Sequence, residues 1–457
     1  MRVTAAELAE LVGGQLTGGD PGGVATSFTI DSRRAEPGAC FFALSGERDG
    51  HDFVSDALCR GATLAVVARE PELDEVTLRD ATLVRVADPL RALGALGSAA
   101  RDRLDATVIG VSGSVGKTST KDLTAAALRS ERRVFASPAS YNNEAGLPLT
   151  LLLAPGDVDV VVAEMGARSV GDIAALCRIA RPTVGAITNV GVAHTALLGG
   201  PEGVARAKGE LLEALPSDGI AVLNADDPTT PALAARTDAR LVTVGTDGAD
   251  VIYRDVRADD ELRATFAISS PWGTGPLTLS VRGVHQVPNA AMAATIALVL
   301  GVPFSSVVAG IEAAEGADGR MELHRSPAGI WVLDDTYNAN PASTAAALRA
   351  LARLPAARRI AVLGEMLELG DAAVDAHAAL GRLASELRLD AVVVVGAGAR
   401  PITDGAGGDI DIIEVPDRLA AAELVMSDLG AGDAVLIKAS RAIGLETVVA
   451  ALLEEQS

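Results

Sequence analysis

The segment Gly113-Ser114-Val115-Gly116-Lys117-Thr118-Ser119 constrains this chain more than any other stretch. It follows a buried-strand run, Thr107-Val108-Ile109-Gly110-Val111, and precedes a helical stretch at 119–128. In such a loop successive backbone N–H groups point at phosphate oxygens, and the helix N-terminus adds positive potential. Lys117 is spaced to reach the β- and γ-phosphates of a nucleotide, and the Thr118 hydroxyl to ligate Mg²⁺. The longer Walker pattern wants Gly where Val111 stands, so the match is to the shorter Gly-x-x-Gly-Lys-Thr core. ATP binding and a mainly parallel α/β sheet are the readings that follow.

At 457 residues the chain is too long for one core, and about three domains of roughly 150 residues are expected. Residues 1–104 read as a small N-terminal α/β substrate domain, with a helix at 4–11 capped by Thr4, strands at 40–44, 64–68 and 82–86, and a helix at 91–103. Residues 105–318 read as a central P-loop ATPase-like domain with further strands at 158–163, 184–188 and 220–223. An antiparallel extension is expected at 251–281, and an Ala-rich helix at 289–300. Residues 319–457 read as a Rossmann-like α/β domain with strands at 330–333, 360–363, 391–395 and 434–437.

Acidic residues outnumber basic ones by 60 to 39, giving a net charge of −21. That argues against a general nucleic-acid or membrane-surface binder, which needs a cationic face. No apolar run reaches the ~20 residues of a spanning helix, and the first residues lack the apolar core of a signal peptide, so a cytoplasmic protein is expected. Cys40, Cys59 and Cys177 fit neither a disulfide framework nor a zinc site and read as buried reduced thiols. Lysine occurs only at 117, 121, 208 and 438. In so Arg-rich a chain, a retained Lys suggests a place where a compact or deprotonatable amine is needed.

Other residues at strand ends carry chemistry. Glu164 closes the run Val161-Val162-Ala163, where an acid can hold a metal beyond the carboxyl end of a strand. His194 follows the strand at 184–188, and Lys208 lies on the next helix. Asp335 and Tyr337 follow the strand at 330–333, and Asn338-Ala339-Asn340-Pro341 reads as a turn with Pro341 at a helix start. Val395-Gly396-Ala397-Gly398-Ala399 leaves open a dinucleotide-dependent oxidoreductase, although its third Gly is missing.

Together these residues resemble the Mur ligase family of ATP-dependent enzymes. The resemblance runs nearly end to end, through Asp31-Ser32-Arg33, Asp49-Gly50-His51-Asp52-Phe53, the phosphate loop and Asn142-Asn143-Glu144-Ala145-Gly146-Leu147-Pro148. It continues through Ala207-Lys208-Gly209-Glu210, Asn224-Ala225-Asp226-Asp227-Pro228, Tyr337-Asn338-Ala339-Asn340-Pro341 and Gly364-Glu365-Met366-Leu367-Glu368-Leu369-Gly370. The Asn-Asn, Asn-Ala-Asn-Pro and Glu-Met-x-Glu-Leu-Gly strings point to the branch that adds D-alanyl-D-alanine to UDP-N-acetylmuramoyl-tripeptide through an acyl phosphate.

The resemblance implies a role for each matching residue. Gly113 to Ser119 would hold the ATP phosphates, with Thr118 and Glu164 on Mg²⁺. His194 would bind a second Mg²⁺ together with a carbamate formed from Lys208 and CO₂. Asn289 and Asp335 would meet the adenosine, and Arg320 the phosphates. Ser32 and Arg33 would face the UDP-sugar, Asn142 and Asn143 its muramoyl part, and Asn338 and Asn340 the dipeptide. A monomer that closes about the junctions near 104 and 318 is expected. Three departures leave room for a paralogue with another amine acceptor. They are Gln286 in His285-Gln286-x-x-Asn289, the absence of the acid and aromatic that often follow the His in 193–200, and Ala439 in Lys438-Ala439-Ser440-Arg441.

Overall fold

The computed structural model describes residues 1–73, 81–191 and 198–454. His194 therefore lies outside the described residues. Three α/β domains follow one another, each built on its own sheet. The first carries the five-stranded order Gln15–Leu16, Thr82–Arg85, Leu64–Val67, Ala39–Phe42, Ser27–Thr29, parallel except for its first pair. Its opening helix, Ala5–Val12, starts where Thr4 accepts the Glu7 N–H and Glu7 reaches back to the Thr4 N–H. Its last helix, Pro89–Asp102, is capped by Asp88 and packs on Gly146–Leu153 of the central domain. A continuous apolar cluster containing Leu93, Leu96, Leu147 and Leu151 joins the two domains.

The central sheet runs Val134–Ala136, Val160–Glu164, Thr107–Ser112, Val184–Ile187, Ile220–Asn224, Arg240–Gly245, Val251–Ala258, Arg263–Ser270, Gly273–Arg282. The first seven pair in parallel, and the last three form the antiparallel extension expected from their alternating polarity. The helix Val287–Val299 is apolar nearly all round because it lies between the sheet and the helices Lys117–Leu128 and Phe304–Glu312. Each buried Val or Leu here contributes about 1.5–3 kcal/mol. The chain leaves Thr107–Ser112 for strands on one side and returns on the other. That strand therefore ends at a topological switch point, where α/β sheets bind ligands.

The third sheet has the order Glu322–Arg325, Trp331–Asp334, Ala434–Lys438, Arg359–Gly364, Ala391–Val395, Asp411–Val415, with only the first pair antiparallel. One reading is corrected: Cys40 and Cys177 are buried, but Cys59 is exposed at the last turn of a short surface helix beside Arg60. Burial raises both buried thiols, Cys177 to about 12, so neither is a thiolate near neutral pH. Among the described residues no helix is long and apolar enough to cross a membrane.

Candidate active site

The carboxyl ends of the central and third sheets face one cavity of about 1000 Å³. The central sheet contributes the phosphate loop after Thr107–Ser112, Glu164 at the end of its strand, and Thr188 and Asn189 after Val184–Ile187. Lys208 joins them from the helix Pro201–Glu213. The third sheet contributes Asp335 and Tyr337 after Trp331–Asp334, Ser440 and Arg441 after Ala434–Lys438, and Leu367 beyond Arg359–Gly364. Lys117, Glu164 and Lys208, distant in sequence, thus share one cavity.

The loop is gripped from below. Thr188 Oγ1 donates to the Val115 carbonyl at 2.6 Å, and Asn189 Oδ1 accepts the N–H groups of Ser114 and Val115 at 3.1 and 3.0 Å. Asn224 and Asp227 hold this segment in turn, Asn224 donating to the Thr188 carbonyl and Asp227 accepting the Val190 N–H. Gly113 and Gly116 have φ of 151° and 81°. A Cβ at Gly116 would run into Asn289 Oδ1, and one at Gly113 into Thr188 Oγ1, so the loop admits no other residue at either place. The helix Lys117–Leu128 begins without a side-chain cap. Its first amides and the positive end of its dipole, about half a charge, face the cavity.

Lys117 Nζ donates to the Gly113 carbonyl at 2.7 Å and the Ser114 carbonyl at 3.3 Å, and burial lowers its pKa against the opposing pull of Glu164. Glu164 is 1% exposed. Its Oε1 accepts from Asn142 Nδ2 at 2.8 Å, while Oε2 is buried with no partner. An orphaned carboxylate oxygen in a cavity that also holds the phosphate loop suits a hard divalent cation, which takes oxygen ligands.

Lys208 is 3% exposed, and its pKa is lowered to about 7, chiefly by burial and secondarily by the charge of Lys117. The rest of its motif is structural. The guanidinium of Arg236 lies where a Cβ on Gly209 would stand, and Glu210 accepts the N–H groups of Gly171 and Ala174 at the start of the helix Asp172–Ala180. A Lys held near 7 binds fewer protons than the unfolded chain up to about pH 10.5. Its contribution to stability therefore rises with pH through that window, by up to about 1.4 kcal/mol per pH unit. Denaturant midpoints of the wild type in CO₂-free buffer should climb from pH 7 to 9 relative to Lys208→Met. Parallel pH profiles would show an ordinary lysine.

The third domain meets the loop directly. Arg320 donates to Thr118 Oγ1 at 3.2 Å and stacks over the Tyr337 ring, 4.1 Å from its centroid. Lys438, 2% exposed, pairs with Asp335 Oδ2 at 2.5 Å and donates to the Asn338 carbonyl at 2.8 Å. Asp335 is thus bound to a lysine notable in the sequence for its rarity and for its place in Lys438-Ala439-Ser440-Arg441. Several expected substrate residues also serve the backbone. Asn143 Oδ1 accepts the Ala145 and Gly146 N–H groups, Asn338 Oδ1 the Ala339 N–H, and Asn340 caps the helix Pro341–Leu351 in a capping box with Ser343. Asn289 Nδ2 donates to Gln286 Oε1 at 2.8 Å against the back of the loop. Ser32 and Arg33 do not line the cavity; Ser32 is buried, and Arg33 pairs with Asp31 at 2.8 Å with most of its side chain in solvent. The loop at 396–399 offers no pyrophosphate seat, since the Glu365 carboxylate fills the space beside Gly398.

Fold and site define a three-domain ligase architecture with a P-loop at its centre. Three protein-family models match: "Mur ligase family, catalytic domain" over 25–101, "Mur ligase middle domain" over 111–297, and "Mur ligase, glutamate ligase domain" over 319–441. The chain belongs to the Mur ligase family. It is 39% identical to the UDP-N-acetylmuramoyl-tripeptide–D-alanyl-D-alanine ligase of Mycobacterium tuberculosis, over 100% of this chain and 99% of that protein. It is 31% identical to the Escherichia coli ligase of the same name, over 99% and 98%. A crystal structure of MurF from Acinetobacter baumannii superposes with a TM-score of 0.88 at 31% identity, over 100% and 99%. MurF from Thermotoga maritima in complex with ADP gives 0.79 at 30%, over 93% and 96%.

Proposed function

We infer that the chain is an ATP-dependent ligase that adds D-alanyl-D-alanine to UDP-N-acetylmuramoyl-tripeptide in peptidoglycan precursor synthesis. The observation that carries this reading is the meeting of the phosphate loop, Glu164 and Lys208 with the third-domain wall in one cavity. Full-length identity to relatives of that name supports the choice of substrates.

A carboxylate and an amine do not condense usefully in water without activation. ATP transfers its γ-phosphoryl group to the terminal carboxylate of the tripeptide; the dipeptide amine attacks the resulting acyl phosphate, phosphate leaves, and the amine gives up a proton. Such transfer demands alignment and charge neutralisation more than covalent help. Lys117 turns from its own loop carbonyls to the phosphates, the first helix amides cradle them, and Arg320 stands beside Thr118 at the same end. Thr118 and Glu164 would hold Mg²⁺, with a second ion on His194 and a carbamate of Lys208; these ions neutralise the phosphate charge when bound. A half-neutral amine at 208 is suited to capturing CO₂, since only the uncharged nitrogen is nucleophilic.

Asn289 and Asp335 serve the adenosine. Ser32 and Arg33 serve the UDP-sugar and Asn142 and Asn143 its muramoyl part. Asn338 and Asn340 serve the dipeptide, the last with the amide nitrogen its cap leaves available. The enzyme works in the cytoplasm as a monomer. Incubation with ATP, Mg²⁺, the UDP-linked tripeptide and D-alanyl-D-alanine should give the pentapeptide mass and one ADP per product. A product only with another amine would assign the chain to a sister ligase, and none with any amine would overturn the reading.

A further inference from the structure

The loop 137–142 touches both walls of the cavity. From the third domain, the Tyr337 hydroxyl donates to Ser140 Oγ at 2.7 Å, and Arg320 reaches the same oxygen at 3.5 Å. Two residues on, Asn142 donates to Glu164 Oε1 at 2.8 Å, and Ser137 Oγ accepts the Glu164 N–H at 3.2 Å. The loop is anchored from beneath by Lys121, 2% exposed, which donates to the Ser137 and Ala139 carbonyls at 2.8 and 2.9 Å. Ala139 has φ 44°, a left-handed backbone uncommon outside glycine, so the turn that presents Ser140 is held against its own preference.

We propose that Ser140 and Tyr337 are positioning residues: docking of the third domain on Ser140 fixes the 137–142 loop, and the loop, through Asn142, aims the Glu164 carboxylate into the cavity. The path is short: a hydrogen bond from Tyr337 to Ser140, two residues of backbone, and a hydrogen bond from Asn142 to Glu164. Without the Tyr337–Ser140 bond the loop keeps its inner anchor at Lys121 and loses an outer one. Glu164 Oε2 has no protein partner to fix it, so its aim depends on Oε1 and hence on Asn142. The inference rests on Glu164 being a cation ligand, and the test separates the two claims.

The test uses the full chain, with Mn²⁺ binding counted by electron paramagnetic resonance beside a non-hydrolysable ATP analogue, and ligation kinetics measured in parallel. Glu164→Gln should weaken Mn²⁺ by about tenfold or more; unchanged affinity there overturns the ligand reading and the coupling with it. Ser140→Ala and Tyr337→Phe, which keeps the ring under Arg320, should each weaken Mn²⁺ about three- to fivefold, the usual range for one neutral hydrogen bond. Each should lower kcat by a similar factor and leave KM for the UDP-linked tripeptide within about twofold. The double variant should be no worse than Ser140→Ala alone, because that change already removes the Tyr337 bond along with the longer Arg320 contact. Additive losses, or full Mn²⁺ affinity in both singles while Glu164→Gln has lost it, overturn the coupling.

Discussion

Lys208→Arg is expected to lower ligation turnover by about 10²–10³-fold, the usual loss when a group stabilising developing charge is removed, although the substitution keeps a positive charge. Lys208 is 3% exposed, and burial together with Lys117 brings it to about 7, so near neutral pH a large fraction is the free amine. A guanidinium with a pKa above ~12 is never neutral in a protein and cannot take up CO₂. It would instead leave a fixed cation beside Lys117 in the same cavity. If the side chain served only as a counter-charge to phosphate, Arg would be tolerated. Initial rates at ambient CO₂ decide the matter, and retention of more than about a tenth of wild-type kcat would remove the carbamate from the account.

Glu164→Gln should cost a comparable factor, about 10²–10³ in kcat. The change is nearly isosteric, and the Gln carbonyl can still accept from Asn142, so the fold and the loop are left in place. What disappears is the charge on the oxygen that no protein group satisfies. Raising Mg²⁺ should recover part of the rate in the variant and little in the wild type. A magnesium titration with coincident, merely scaled curves would show that Glu164 does not hold the ion.

Much of this site could be read from the chain because its signals are local. The phosphate loop announces itself through a strand, two glycines, a lysine and a helix in immediate succession, and Glu164 through the buried run it terminates. Asn189 and Ser140 announce nothing, since their partners stand 75 and 197 residues away and their own neighbourhoods look like ordinary turns; Lys438 stands out by its rarity and its strand end, but its pairing with Asp335, 103 residues away, does not. The strands Glu322–Arg325 and Asp411–Val415 escaped notice because both are charged sheet edges, and an edge strand hides its hydrophobic pattern behind polar residues. Asn340 was legible in part, since an Asn directly before a Pro that opens a helix is a cap before it is anything else.

The scarcity of lysine has a consequence for anyone handling the molecule. Lys121, Lys208 and Lys438 are almost wholly enclosed, and Lys117 is folded onto its own loop. An acylating or cross-linking reagent aimed at ε-amines therefore finds an outer shell furnished with guanidinium groups and almost no targets. A label on Lys117 or Lys208 therefore reports that the reagent has entered the catalytic cleft.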